Sequence, residues 1–375
     1  MTPRPLLSAA LIVRDEAAVL GDCLTSIQGL VDEIVVVDTG STDESPVIAA
    51  QFGARVVHHP WRDDFSDARN VSLDTATGQW VLYIDADERV VDGGRAYLEA
   101  LLTRAPQVAF RVLLKPTVGS TPYREYRLWR HDPRIRFEGV IHEKVVPAIR
   151  RLAREESREI GLADILIQHI GYEGDQIAKH HRNLPLLRRQ LAAEPDNLFV
   201  RHHLARVLEG LGEVAEADRV LEDAVEVARA RGFKDPLGVL ACADLVRRRR
   251  QEGLPVGALL AEARAAYPSN VLLLFLEGHE LIGRGDYDEA VERFERILRV
   301  DPTAFPPGSP AYDERLLGEL AHDGQALALF KAGRYAEAAN AYQAAEALEP
   351  SNQAYTVKRQ LAQARARRAT FGSRT

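Results

Sequence analysis

The 375-residue sequence predicts an α/β domain with a parallel sheet over residues 1–175 and an all-α repeat solenoid over residues 176–375. Three observations carry this reading. Short β-branched runs alternate with amphipathic segments through the first half. Polar residues cluster where three of those runs end. From about Gln176, Ala, Leu, Arg and Glu dominate and a motif recurs.

Leu6–Val13 reads as a strand, Ala17–Gln28 as a helix, Glu33–Thr39 as a strand and Asp43–Phe52 as a helix. Arg55–His59 is a further strand, Phe65–Thr77 a helix and Trp80–Asp85 a strand. Strands separated by helices of this length pair in parallel through right-handed crossovers. Such sheets bind ligands beyond the carboxyl ends of their strands. The polar clusters Arg14-Asp15-Glu16, Asp38–Asp43 and Asp85–Glu88 all fall there, as the rim of a nucleotide pocket would.

In the second half, Gly285-Asp286-Tyr287-Asp288-Glu289-Ala290, Phe294 and Asp301-Pro302 recur as Gly333-Arg334-Tyr335-Ala336-Glu337-Ala338, Tyr342 and Glu349-Pro350. A fainter copy begins at Gly212. Pro195-Asp196-Asn197, Pro268-Ser269-Asn270 and Pro350-Ser351-Asn352 read as terminators. Pro268 and Pro302 are 34 residues apart, the tetratricopeptide period, and the Pro-rich insertion Thr303–Leu316 accounts for the wider spacing that follows. Between Pro195 and Pro268 there is room for two helical hairpins. Stacked hairpins share a core and expose a concave surface. That surface suits docking of a polypeptide or other acceptor; support of the first half or homo-oligomerisation is the alternative use.

Composition narrows the function classes. The chain is 46% hydrophobic and 27% charged, which excludes disorder and fibrous repeats. No apolar run has the length of a membrane span, and Leu6–Val13 lacks a cleavage-site pattern, so it reads as a buried strand and not a signal peptide. Two distant cysteines, Cys23 and Cys242, do not make a disulfide or zinc framework, and a reducing cytoplasm is the expected setting. Residues 1–175 carry 20 Lys+Arg against 27 Asp+Glu, and the remainder 28 of each. An acidic front half is a poor nucleic-acid binder. If it holds an anionic cofactor, a divalent cation is the simplest offset. Arg150-Arg151, Arg247–Arg250 and the basic tail from Lys358 read as solvated helix faces.

Asp85 and Asp87 follow the apolar run Trp80–Ile84, so both carboxylates should emerge at the sheet's ligand edge. Hard oxygen donors there suit Mg2+ or Mn2+ on a diphosphate; a charged turn is the alternative. Asp38 ends a second strand and could accept a hydrogen bond from a base or ribose. Asp43 reads as the N-cap of the following helix. Arg69 could lie near phosphates or in a surface ion pair.

Taken in order, several segments resemble family 2 glycosyltransferases with the GT-A fold. They are Leu11–Glu16, Val31–Asp43, Trp61–Asn70, Tyr83–Glu88, Phe137–Glu143 and His169–Tyr172. The resemblance implies a nucleotide-sugar donor, with UDP the leading nucleotide, and inversion at the anomeric carbon. Carried over by position, Val13, Arg14, Glu16 and Asp38 would hold the base, and Arg69 the nucleotide or pyrophosphate. Asp85 and Ala86 would line the donor site, with Asp85 on ribose or metal and Asp87 on the metal. His169 would add a third metal or phosphate contact, a structural histidine being the alternative. The branch with a tetratricopeptide tail includes enzymes acting on peptides and others that build surface polysaccharides.

Displacement at an anomeric carbon needs a carboxylate to take the acceptor's proton. The acidic pair in which much of the family carries its base is missing here. Glu143 is the choice, with Glu125 and Asp132 competing. The leading function is therefore an inverting, metal-dependent hexosyl transfer to a peptide or protein presented by the repeats. A polysaccharide or lipid-linked acceptor is the alternative, and a catalytically inactive scaffold is the alternative of another class. A nucleotidyltransferase would need a Gly-rich basic loop after the first strand, and Arg14–Ala18 is not one.

Overall fold

The computed structural model describes residues 4–116, 119–171, 176–301 and 311–372. Tyr172, Pro302 and residues 303–310 of the Pro-rich insertion lie outside them. The chain forms two compact units, residues 1–118 with 122–195, and residues 119–121 with 196–375. The change of unit falls at Pro195/Asp196, beyond the change of texture at 175/176.

The first unit runs β1 (Leu7–Val13), α1 (Ala17–Ile27), β2 (Glu33–Asp38), α2 (Ser45–Gln51), β3 (Arg55–His58), α3 (Phe65–Thr75) and β4 (Trp80–Tyr83). These match the expected elements within two residues at each end. The four strands pair in parallel in the order β3-β2-β1-β4. The chain continues through β5 (Glu88–Asp92), α4 (Arg95–Thr103), β6 (Ala109–Pro116), β7 (Tyr123–Arg130), α5 (Val146–Glu155), β8 (Ile160–His169) and α6 (Gln176–Ala193).

The later strands correct the all-parallel expectation. The full order is β3-β2-β1-β4-β7-β6-β8-β5, with β7 antiparallel to both β4 and β6, and β5 antiparallel to β8. Frequent arginines, among them Arg111, Arg124, Arg127 and Arg130, break the apolar pattern that would have announced β6 and β7.

Both faces of the sheet are covered, which is why β1, β2 and β4 read as nearly continuous apolar runs. Leu7, Leu11, Trp80 and Leu82 pack on one face with Leu24 and Ile27 of α1. Ala10, Val35 and Val81 point to the other, against Trp129, Ile149 and Leu152.

The second unit is helical: α7 (Leu198–Gly210), α8 (Val214–Ala230), α9 (Gly238–Gln251), α10 (Gly257–Ala266), α11 (Val271–Arg284) and α12 (Tyr287–Leu298). After a 3-10 turn at Glu314–Leu317 come α13 (Glu319–Lys331), α14 (Tyr335–Leu348) and α15 (Gln353–Gly372). Two hairpins, α7/α8 and α9/α10, fill the space before Pro268. The recurring Pro-x-Asn elements are helix starts as much as stops. Asn197 accepts from Val200 N–H at 3.1 Å and Asn270 from Leu273 N–H at 3.0 Å, each an N-cap. Gly285, at φ +90°, ends α11 in the left-handed conformation that glycine adopts without strain. Among the described residues no helix is long and apolar enough to cross a membrane.

Candidate active site

The carboxyl ends of β1, β2 and β4 border a hollow of about 310 Å3. Its lining includes Val13, Arg14, Glu16, Thr39, Arg69, Asp85, Ala86, Asp87 and His169. Most of the candidate donor residues are thus brought to one place. Trp61, Phe65, Lys179 and Arg182 complete the wall.

The loops that shape it are stitched by short polar side chains. Asp15, at φ +54°, accepts from the Thr42 N–H at 2.7 Å and from the Thr42 hydroxyl at 3.0 Å. The Glu16 N–H donates to Ser45 Oγ at 2.8 Å. Asp43 accepts from the N–H groups of Ala17 and Ser45, both at 2.9 Å. It therefore joins the starts of α1 and α2 and does not cap α2 alone, a correction to its expected role; the residue preceding α2 is Glu44. Asp38 is buried below this rim, outside the lining of the hollow. Its Oδ1 accepts from the Ser41 N–H at 3.0 Å and its Oδ2 lies 3.0 Å from His58 Nδ1. Thr39 lines the hollow where Asp38 was expected.

β4 ends at Tyr83, and the two aspartates part company beyond it. Asp85 turns toward Arg69 Nη1 at 3.1 Å and the Tyr83 hydroxyl at 2.9 Å, with Arg127 Nη1 3.6 Å away. Burial would push its carboxyl up, but the two guanidinium charges and the Tyr83 bond outweigh this and hold it at about 2. Asp87 turns instead to His169, whose Nε2 lies 3.0 Å from Asp87 Oδ2. The β5–β8 pairing that aligns Glu88 with His169, and the Ile170 N–H bond to the Asp87 carbonyl at 2.9 Å, set this meeting. The hydrogen bond between the Asp87 carboxylate and the imidazole, against the opposing effect of burial, raises the His169 pKa.

Glu16 is a strongly perturbed carboxyl of the rim. Burial first, then the nearby Asp87 charge, push it up to about 7 against the pull of Lys179. Beneath it lies a buried network the sequence did not announce. Arg127 Nη2 binds Glu88 at 2.7 Å, and Glu88 accepts the Asp85 N–H at 2.9 Å. The guanidinium carbons of Arg69 and Arg127 lie 4.4 and 4.3 Å from the Tyr83 ring centroid.

Arg69 also reaches a second hollow, of about 330 Å3, lined by Phe65, Arg69, Tyr83, Ile141, His142, Glu143 and Asn183. Its Nε donates to Glu143. One guanidinium thus joins Asp85, facing the first hollow, to Glu143, facing the second. The Glu143 loop is pinned at its base by paired Glu138 and Lys144, and held by α3 and α6. The Phe65 N–H donates to the Val140 carbonyl at 3.0 Å, and the Val140 N–H to Gln190 at 2.8 Å. His142 within it has φ +51°. Of the competing carboxylates, Asp132 is engaged with Arg134, 2.6 Å away, and neither it nor Glu125 lines either hollow.

Lys179 and Arg182 had no signal of their own, because the Ala/Leu/Arg texture of α6 reads as the start of the solenoid. Their spacing of three, one face of a helix, was the available hint.

With this geometry in view, residues 8–138 match the family model described as Glycosyl transferase family 2. The chain is 36% identical over 230 residues to a TPR repeat-containing protein of Synechococcus elongatus, covering 60% of this chain and 57% of that protein. It is 26% identical over 257 residues to the prophage-derived glycosyltransferase SunS of Bacillus subtilis, covering 65% and 60%. Among solved structures, glucosyl-3-phosphoglycerate synthase from Mycobacterium tuberculosis, in complex with Mn2+, UDP and glucosyl-3-phosphoglycerate, aligns with TM-score 0.33. That alignment has 18% identity and covers 49% of this chain and 78% of that one. The chain thus spans somewhat over half the length of these two curated relatives. Residues 8–138, which supply most of the lining of the first hollow, are thus similar to glycosyltransferase family 2 domains, and a helical repeat region follows in the same chain.

Proposed function

We propose that this chain transfers a sugar, with inversion, from a UDP-sugar to a peptide or protein acceptor that the repeats present. The observation that carries the reading is the shared Arg69, which couples an acidic, cation-flanked hollow at the strand ends to a neighbouring hollow containing Glu143. A donor and an acceptor need two such adjoining places.

In this reading Val13, Arg14, Glu16 and Thr39 hold the nucleoside end, and Lys179 and Arg182 meet the phosphates. Among the described residues no group of three or more His, Cys, Asp or Glu side chains is arranged to hold a metal ion. Asp87 and His169 nevertheless converge, and two protein donors fit a cation that takes its other ligands from diphosphate oxygens and water. They would hold Mn2+ or Mg2+, which supplies Lewis-acid stabilisation of the leaving diphosphate. Asp85 would contribute mainly by fixing Arg69, since Arg69 and the Tyr83 hydroxyl already engage its oxygens. Glu143 accepts the acceptor's proton as the new bond forms. Arg69 aims Glu143 through its Nε–H bond, and the acceptor's proton becomes acidic only late in the step. The developing charge at the anomeric carbon is of the oxocarbenium kind.

Calorimetry with UDP, with and without Mn2+, tests the donor half. Metal-dependent binding that Asp87→Ala weakens at least tenfold is expected, and no binding by the unaltered chain would end the proposal. Glu143→Gln should bind donor normally and lose transfer by 10²-fold or more, the usual scale for a general base. A fall in its donor affinity would instead make Glu143 a donor-site residue.

A further inference from the structure

The pair Arg150-Arg151 reads in the sequence as a solvated helix face, but α5 gives it another setting. Ala148, Ile149, Leu152 and Ala153 are buried, which leaves Pro147, Arg150, Arg151 and Arg154 along the opposite stripe at helical spacing. With Lys144 and Val146 they line a groove of about 570 Å3. Four cations converge on it. Among the described residues, Lys144 and Arg151 have only long, exposed ion pairs, 3.7 Å to Glu194 and 3.7 Å to Glu138, and such pairs hold a side chain weakly. Arg150 and Arg154 have no ion-pair partner among the described residues.

The groove and the second hollow take consecutive residues of one loop into their linings. Lys144 directly follows Glu143, and the Lys144–Glu138 bridge closes the loop that carries Glu143. We propose that this groove receives an acidic stretch of the polypeptide acceptor, Asp or Glu carboxylates on the arginine forks, and so feeds the acceptor toward Glu143. The proposal rests on the peptide-acceptor reading above. Guanidinium forks match carboxylates in charge and geometry. A groove admits an extended chain, whereas an anionic bilayer would confront the surplus of carboxylates in residues 1–175 as well.

The test uses the full chain, fluorescence anisotropy, and three labelled octapeptides: all-Glu, Gly-Ser and all-Lys. The expected result is binding of the Glu peptide alone, weakening as salt rises. The double variant Arg150→Glu/Arg154→Glu should lose at least tenfold in affinity, and the milder Arg150→Gln/Arg154→Gln a smaller part of it. Circular dichroism melts and Mn2+-dependent UDP binding should be unchanged in both variants. Equal Glu-peptide affinity in variants and unaltered chain would overturn the proposal. So would equal binding of the Gly-Ser peptide, or α5-dependent binding to phosphatidylglycerol vesicles without peptide binding. Absent UDP binding in the unaltered chain would count against the donor reading alone, because the peptide arm is read separately.

Discussion

Arg127 shows how one side chain can hold a site together without facing a ligand. It is 7% exposed, lies 2.7 Å from Glu88 and 3.6 Å from Asp85, and has no hydrogen-bond acceptor for its Nε or Nη1 among the described residues. Removing it would strand the Glu88 carboxylate in a buried place, while Asp85 keeps Arg69 and the Tyr83 hydroxyl. Arg127→Leu should therefore destabilise the chain by about 3–5 kcal/mol in urea unfolding, the usual cost of breaking a buried pair from one side. Arg127→Leu with Glu88→Leu should recover a substantial part, since the second change removes the charge left behind. A double variant as unstable as the sum of the two single ones would show that Arg127 acts by packing alone. Nothing in the sequence marks this residue. Along Tyr123–Arg130 it is one of three arginines in a strand, and only the antiparallel pairing of β7 with β4 brings it under Tyr83. Asp85 and Asp87 were legible because they follow the plain apolar run of β4, whereas Arg69 lies inside α3, which has no such run.

At the scale of elements, the repeats were legible because each copy repeats a packing event. Phe294 of α12 is fully buried, and Gly278 of α11 and Gly324 of α13 make its slot. A Cβ on Gly324 would fall 2.4 Å from the Phe294 ring, and one on Gly278 2.7 Å from it. Phe294→Ala should cost about 3–5 kcal/mol. Gly324→Ala should cost about 1–3 kcal/mol by overpacking, and Phe294→Leu should partly relieve it in the double variant. Chemical unfolding checks both, and a harmless Gly324→Ala would contradict the slot. His279 lies against the same ring, at 5.4 Å between centroids. Burial, then the Arg250 charge, push its pKa down to about 4. The unfolded chain therefore takes up this proton first. Stability from this group is complete above about pH 6.5 and is lost as pH falls toward 4, by up to about 1.4 kcal/mol per unit. Melts at pH 7.5 and 5 should show the helical unit losing stability, and His279→Gln should flatten that loss. The elements that escaped the sequence, β5 to β8 and α6, lack either a repeat or a clean alternation to announce them.

At the scale of the whole chain, composition and contacts divide the molecule at different places. The texture changes at Gln176, yet α6 belongs with the first unit. Lys179 and Arg182 line the first hollow, and Gln190 accepts from the Val140 N–H in the loop that carries Glu143. The acidic balance of residues 1–175 is thus partly offset by a helix whose composition resembles the solenoid. A chain ending at Pro195 should bind UDP with Mn2+ nearly as the full chain does. One ending at Asp175 should bind at least tenfold more weakly, since each charge-assisted hydrogen bond to phosphate is worth roughly 1.5–3 kcal/mol. Lys179→Ala/Arg182→Ala in the full chain should reproduce most of that loss with an unchanged melting curve, which separates lost phosphate contacts from lost folding. Equal affinity for both truncated chains, together with a silent double variant, would remove α6 from the donor site and return the functional boundary to the point where the composition changes.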